Sequence, residues 1–325
     1  MIRKINDLPE IWSIDIPLPD NPLKNLNCYV VKSRGECLVI DTGFRRPECA
    51  AALNEGLEEL GLTRADTSLF LTHLHADHTG QAAEFSAAGC TVYIGEKDGQ
   101  YLTAMKDANV RMARFIEEGF PPEEMEMQFS RNPAIIYAAQ YDFPMTLLRD
   151  KDIITVGDVE LQCVFTPGHT PGHMCLYIPK NEIMFLGDHV LFDITPNITT
   201  WPNVENSLKD YRNSLDAIAK YPIRLALPAH RGNDMDVYQR IADIQAHHDM
   251  RLQNSLDIIA ESPGMSAYEI ASRMTWSMRG KTWPEFPVFQ KFFAVGETIA
   301  HLDYLLAEGR LQKQRVGDVF LYRPA

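Results

Sequence analysis

Three histidines and one aspartate fall within six positions, His73-Leu74-His75-Ala76-Asp77-His78. Imidazole nitrogens and carboxylate oxygens are the usual ligands of zinc and of other divalent metals of similar softness. So dense a set cannot all be packed as ordinary core, because each polar group buried without a partner costs roughly 2–7 kcal/mol. The same residue types recur singly further along: His169 in Thr166-Pro167-Gly168-His169, Asp188 after Gly187, and His230 in Pro228-Ala229-His230. Together these are seven potential ligands, His73, His75, Asp77, His78, His169, Asp188 and His230. A tetrahedral zinc takes four in all. Seven suit two metals that share a carboxylate and a water. Two ions roughly 3.5–4 Å apart can clamp both the attacking and the leaving oxygen, and zinc-bound water ionises near pKa 7 rather than about 15.7. The expected chemistry is hydrolysis by a metal-bound hydroxide, with two divalent ions as cofactors. Zinc is expected first, and iron or manganese fits the same ligands. The chain offers no Gly-x-Ser-x-Gly elbow for a serine nucleophile.

The elements that must position these residues are short apolar runs. Residues 67–72, 160–165, 183–186 and 224–227 read as strands, and each ends in a ligand: His73, His169, Asp188 and His230 respectively. Ligands at four strand ends can converge on one rim of a rigid sheet assembly. Gly168, Gly187 and Gly232 are expected to allow tight turns beside them. Upstream, strands at 11–18, 27–32 and 36–41 lead into Asp41-Thr42-Gly43, with Asp41 a candidate hydrogen-bond partner of a ligand. Helical periods cover 45–61 and 79–88, a strand follows at 90–95, and hairpins occupy 153–165 and 174–186. Residues 97–150 break this rhythm with five of the chain's 13 methionines and several aromatic residues. A helical insertion is expected there, packed on the core or serving as an apolar lid.

The chain has 325 residues and a net charge of −13, which disfavours nucleic acid as a partner. Its six cysteines lie scattered in apolar runs without a Cys-x-x-Cys pair, as expected of reduced core residues. The start shows no secretory apolar core, and no apolar run approaches membrane-spanning length. A cytoplasmic location without membrane contact is therefore expected.

The set His73-Leu-His75-Ala-Asp77-His78, Thr166-Pro-Gly-His169, Gly187-Asp188 and His230 resembles the metallo-β-lactamase superfamily, in that family's order, over residues 10–232 apart from the 97–150 insertion. The resemblance implies a four-layer αββα sandwich, an α/β (α+β) fold with the metals at one edge. It places His73, His75 and His169 on one metal and Asp77, His78 and His230 on the other. Asp188 then bridges, and Asp77 orients the hydroxide. The run Thr166-Pro-Gly-His-Thr-Pro-Gly-His173 is similar to the glyoxalase II-like branch, which hydrolyses thioesters. His173 is expected to support the ligands rather than bind metal. His189, Asn197, Trp201 and Arg231 are expected to line the substrate pocket. His247, His248 and His301 are expected at the surface.

Residues 1–232 are thus expected to form a catalytic domain and residues 233–325 a smaller helical one. The smaller part shows helix, helix, helix, hairpin, the order of a winged helix, and Ser266 with Glu269 reads as a capping box. Residues 231–325 carry 11 Lys and Arg against 12 Asp and Glu, well short of a nucleic-acid footprint. Packing on the catalytic domain or on a second copy of the chain, as a homodimer, is expected instead, through its many aromatic residues. The function expected is hydrolysis of an ester-like bond in a small molecule, a thioester first. A lactone or phosphodiester, including RNA, is the enzymatic alternative, and a metal-sensing DNA-binding regulator is the alternative of another class.

Overall fold

The fold is described from a computed structural model, over residues 1–104, 108–138, 141–278 and 280–325. Met105, in the methionine-rich segment, lies outside the described residues. The chain divides into two compact units that interleave along the sequence. The first contains residues 1–105, 133–196 and 214–241, and the second 106–132, 197–213 and 242–325. Residues 106–132 and 197–213, read from sequence as parts of the 1–232 domain, therefore cluster with the C-terminal stretch.

In the first unit, β1 (Ile2–Asn6), β2 (Glu10–Pro17), β3 (Asn25–Ser33), β4 (Glu36–Ile40), β5 (Ser68–Leu71), β6 (Val92–Gly95) and β7 (Thr146–Leu148) form one sheet in sequence order. Pairing is antiparallel from β1 to β4 and parallel from β4 to β7. The second sheet has the order β12 (Leu225–Pro228), β11 (Ile183–Gly187), β10 (Met174–Ile178), β9 (Val159–Phe165), β8 (Ile153–Val156). Only its β11–β12 pair is parallel. Apolar faces of the two sheets meet in one core: Val31, Leu38, Ile40 and Phe70 from the first, Leu161, Leu176, Ile183 and Phe185 from the second. Tyr29 and Phe185 meet edge to face across it, with ring centroids 5.4 Å apart. Burying such side chains stabilises the sandwich by about 1.5–3 kcal/mol each. Helix α1 (Pro47–Glu59) packs on β2 through Leu53, Leu57 and Gly56, where any side chain would collide with Ile14. The helix expected at 79–88 is two: α2 (Ala76–Thr79) and α3 (Ala82–Ala87).

Helices α4 (Glu96–Ala104) and α7 (Pro133–Ile136) of the expected insertion belong to the first unit; α5 (Ala108–Glu117) and α6 (Pro122–Arg131) belong to the second. The insertion does not extend to 150, because β7 already rejoins the sheet beside β6. Phe115, Phe120 and Met125 are buried within the second unit, where Phe115 stacks on Phe292 at 4.4 Å. Helices α8 (Ser207–Ile218) and α9 (Val237–Glu261) are followed by α10 (Ala267–Arg273), α11 (Val288–Ala307) and the hairpin β13 (Leu311–Val316)–β14 (Val319–Pro324). The capping box is present: Ser266 Oγ accepts the Glu269 N–H at 3.3 Å, and the Glu269 carboxylate accepts the Ser266 N–H at 2.8 Å.

His248 and His301 are not surface residues. Both are fully buried, and His248 Nδ1 lies 3.1 Å from His301 Nε2. Their apolar neighbours on α9 and α11, Ile244, Leu252 and Ile299, fill the same core and carry the imidazoles inward with them. Burial pushes the His301 imidazole down to about 3, and burial with the neighbouring histidines holds His248 well below its usual range. All six cysteines are thiols, five of them buried. Among the described residues no helix is long and apolar enough to cross a membrane.

Candidate metal centre

The C-terminal ends of β4, β5, β9, β11 and β12 bring Asp41, the 73–78 cluster, His169, Asp188 and His230 to one rim of the first unit. Side chains at strand ends can gather in this way because the hydrogen-bonded ladders below them are rigid. Two turns there need unusual backbone. Gly187 has φ 51°, and a Cβ at that position would press on His173 Nε2 and on Thr72. Asp41, without being glycine, sits at φ 61°, a conformation that costs on the order of 1–3 kcal/mol and tends to persist at functional sites. Gly232 does not play the role expected of it. A Cβ there would meet only the Asp234 carboxylate, at an ordinary contact distance of 3.5 Å, and the left-handed residue of that loop is Arg231, at φ 62°.

The ligand atoms form three overlapping groups: His73, His75 and His169; His73, His78 and Asp188; and Asp77, His78 and His230, each set lying within 4.8 Å. In the first, His75 Nδ1 is 3.0 Å from His73 Nε2 and 3.1 Å from His169 Nε2. In the third, His230 Nε2 is 3.3 Å from His78 Nε2 and 3.5 Å from Asp77 Oδ2. Asp188 stands between them. Its Oδ2 is 3.7 Å from His169 Nε2, and its Oδ1 is 3.4 Å from His230 Nε2 and 3.7 Å from His78 Nε2. Ligands about 2.0–2.1 Å from a tetrahedral zinc lie roughly 3.3 Å from one another. The spacings observed are of that size. Asp188 Oδ1, moreover, is buried without a hydrogen-bond partner among the described residues. The donor set fits two divalent cations.

Neighbouring groups fix which nitrogen each ring presents. Asp41 Oδ2 lies 2.8 Å from His78 Nδ1, while its two oxygens also accept the Thr72 N–H and hydroxyl, each at 2.8 Å. This turns His78 Nε2 inward, in the orienting role the sequence suggested for Asp41. His230 Nδ1 donates to the Asn25 carbonyl at 2.7 Å, which turns Nε2 toward Asp77 and Asp188. His173 Nε2 accepts the Asp188 N–H at 3.2 Å, and its Nδ1 meets Thr166 Oγ1 at 2.8 Å. His173 thus supports Asp188. Burial and the surrounding imidazoles hold His73 well below its usual pKa, in the neutral form that a ligand requires. Burial alone would lower His78, but the Asp41, Asp188 and Asp77 carboxylates pull it up to about 10. That surplus of carboxylates invites cations.

Two contributors carry no sequence signature. Asn27, on β3, donates to the Pro228 and Arg231 carbonyls at 3.1 and 2.9 Å and so holds the His230 loop. Asp98, on α4, accepts the Leu74 N–H at 2.9 Å, the Thr170 hydroxyl at 2.6 Å and the Gly172 N–H at 2.5 Å. Only an Asn beside one strand and an Asp at one helix start could have flagged them, and both are common.

Of the four residues expected to line a substrate pocket, two belong to each unit. His189 is fully buried beside His173, with centroids 5.9 Å apart, and burial pushes it down to about 3. Arg231 lines a cleft of about 250 Å³ with Asn27, Tyr29 and Leu227, and its guanidinium donates to the Pro22 carbonyl at 3.2 Å. Asn197 and Trp201 belong to the second unit. Asn197 donates to the Glu297 carboxylate at 3.0 Å, and Trp201 lines a cavity of about 450 Å³ with Arg114, Thr200 and Glu205.

The sequence pattern of the Metallo-beta-lactamase superfamily matches residues 22–230, and that of the Metallo-beta-lactamase-like C-terminal domain matches 284–325. Among solved structures, a metallo-beta-lactamase family protein from Thermus thermophilus is 29% identical, with a TM-score of 0.83, covering 98% of this chain and 100% of that one. A beta-lactamase domain protein from Burkholderia ambifaria superimposes with a TM-score of 0.81 at 24% identity, over 100% and 94% of the two chains. The curated relatives include a lactamase-like protein, nscB, of Aspergillus fumigatus, 23% identical over 78% of this chain and 66% of its own length. They also include the atrochrysone carboxyl ACP thioesterase of the same fungus, 26% identical over 74% of this chain and 64% of its own. The chain spans just under two thirds of the length of these curated relatives. With a match covering more than half its residues, the αββα sandwich and the histidine-rich rim in place, the chain belongs to the metallo-β-lactamase superfamily.

Proposed function

We propose that the chain is a dinuclear, zinc-dependent hydrolase of thioesters on small-molecule or carrier-bound acyl groups. The observation that carries the reading is Asp188, whose two oxygens face two separate clusters of imidazole nitrogens. Divalent cations bound there supply Lewis acidity, which lowers the pKa of water and draws electron density from a carbonyl. The protein's own part is to hold a water and a substrate against that pair. Burial pushes the Asp77 carboxyl up, but His78 and His230 hold it below the usual carboxylate range. It is therefore an anion at neutral pH, able to accept a hydrogen bond from the attacking water and to aim its lone pair. Asp41, Asn25 and His173 keep His78, His230 and Asp188 in the orientations described, so little reorganisation accompanies reaction.

Two points favour a thioester. The Thr-Pro-Gly-His-Thr-Pro-Gly-His run is similar to the glyoxalase II-like branch, and one curated relative is named a thioesterase. The test is turnover of a panel of acyl thioesters, lactones, bis-p-nitrophenyl phosphate and RNA by protein loaded with zinc or with manganese. Thioester cleavage well above the other substrates is expected. Clear phosphodiesterase or lactonase activity with no thioester turnover would overturn the substrate assignment.

A further inference from the structure

Asp98 lies outside every motif that carries the metal-site residues, yet its carboxylate touches both loops that feed the three-histidine group. Oδ2 accepts from the N–H of Leu74, between His73 and His75, and from the hydroxyl of Thr170, next to His169. Oδ1 accepts from the N–H of Gly172 in that second loop. The carboxylate is fully buried. Two glycines make the approach possible: a Cβ on Gly172 would run into the Asp98 backbone nitrogen, and a Cβ on Gly95 into the Gly172 carbonyl. The other ligand group is fastened differently, by Asp41 on His78 and by Asn25 and Asn27 on the His230 loop.

We propose that Asp98 is a positioning residue that sets the spacing of His73, His75 and His169, so that its loss weakens cation binding at that group and spares the group of Asp77, His78 and His230. The inference rests on the two-cation reading above and is independent of the substrate. A carboxylate accepts on both oxygens, whereas a carboxamide accepts on one and donates from the other. Asp98→Asn must therefore turn an NH₂ toward at least one of the three donors, and the loops separate. Loss of such an outer partner costs typically about 10–100-fold in metal affinity.

The test is zinc affinity by chelator competition, with circular dichroism as a check on folding. Asp98→Asn is introduced into the parent, into His230→Ala, which keeps the three-histidine group, and into His75→Ala, which keeps the other. The expected result is a zinc affinity about 10–100-fold weaker in the His230→Ala background and unchanged in the His75→Ala background. Thr170→Val, which removes a single donor, is expected to give a smaller loss in the same background, and it carries the test should Asp98→Asn not fold. Equal weakening in both backgrounds, or none in either, overturns the inference. A parent that takes up no zinc removes the two-cation reading and this inference together. Zinc uptake does not depend on what is hydrolysed, so a failed substrate assignment is read separately, from the substrate panel.

Discussion

Asp188 shows how single residues define the centre. One carboxylate faces His169 on one side and His78 and His230 on the other. His75→Ala is expected to remove one of two bound metals and to lower kcat/KM by more than about 100-fold, beyond the 10–100-fold typical of outer partners, with the far-ultraviolet circular dichroism unchanged. Metal analysis together with steady-state rates checks this. Asn27→Ala removes the side-chain donor of the Arg231 carbonyl and one of the two on the Pro228 carbonyl, which keeps the Tyr29 hydroxyl at 2.8 Å, and is expected to weaken the Asp77–His78–His230 group by about tenfold, measured by chelator competition. The seven candidate ligands were legible in the sequence because four of them crowd into residues 73–78 and the other three each follow an apolar run, a pattern that local spacing preserves. Asp98 and Asn27 were not, because their partners are backbone groups and one hydroxyl lying 24 to 204 residues away, which no local pattern encodes.

At the scale of elements, strands with a buried face were readable and the two edge strands of the larger sheet were not. β1 and β7 are the two edges of the larger sheet and carry mostly exposed or half-buried side chains, so neither shows apolar alternation. For the same reason the 97–150 segment read as one insertion, although α4 supplies Asp98, β7 completes a sheet, and Phe115 and Phe120 fill the core of the second unit. The capping box of α10, by contrast, was legible because its signal is local. Ser266→Ala is expected to destabilise the protein by about 1 kcal/mol, read as a lower urea midpoint with metal binding unchanged. Phe115→Ala removes a ring stacked on Phe292 in that same core and is expected to cost about 3–5 kcal/mol by the same measurement.

At the scale of the whole molecule, pH acts on a buried pair of histidines in the second unit. His248 and His301 are buried and neutral in the second unit, facing His247, Arg212 and Arg251, all of which oppose a further positive charge. Their folded pKa values lie below the unfolded value of about 6.5. The unfolded chain therefore binds protons first as pH falls, and stability present above about pH 6.5 is lost between there and about pH 3. Urea midpoints at pH 7.5 and 5 are expected to differ in that direction, and less so in His301→Gln. The central claim, however, concerns the rim of the first unit. The most direct measurement is the metal content of the purified, zinc-equilibrated chain by elemental analysis. About two ions per chain, falling to one in His230→Ala, is the result expected; a chain that holds none, or holds the same number after that substitution, would contradict the account.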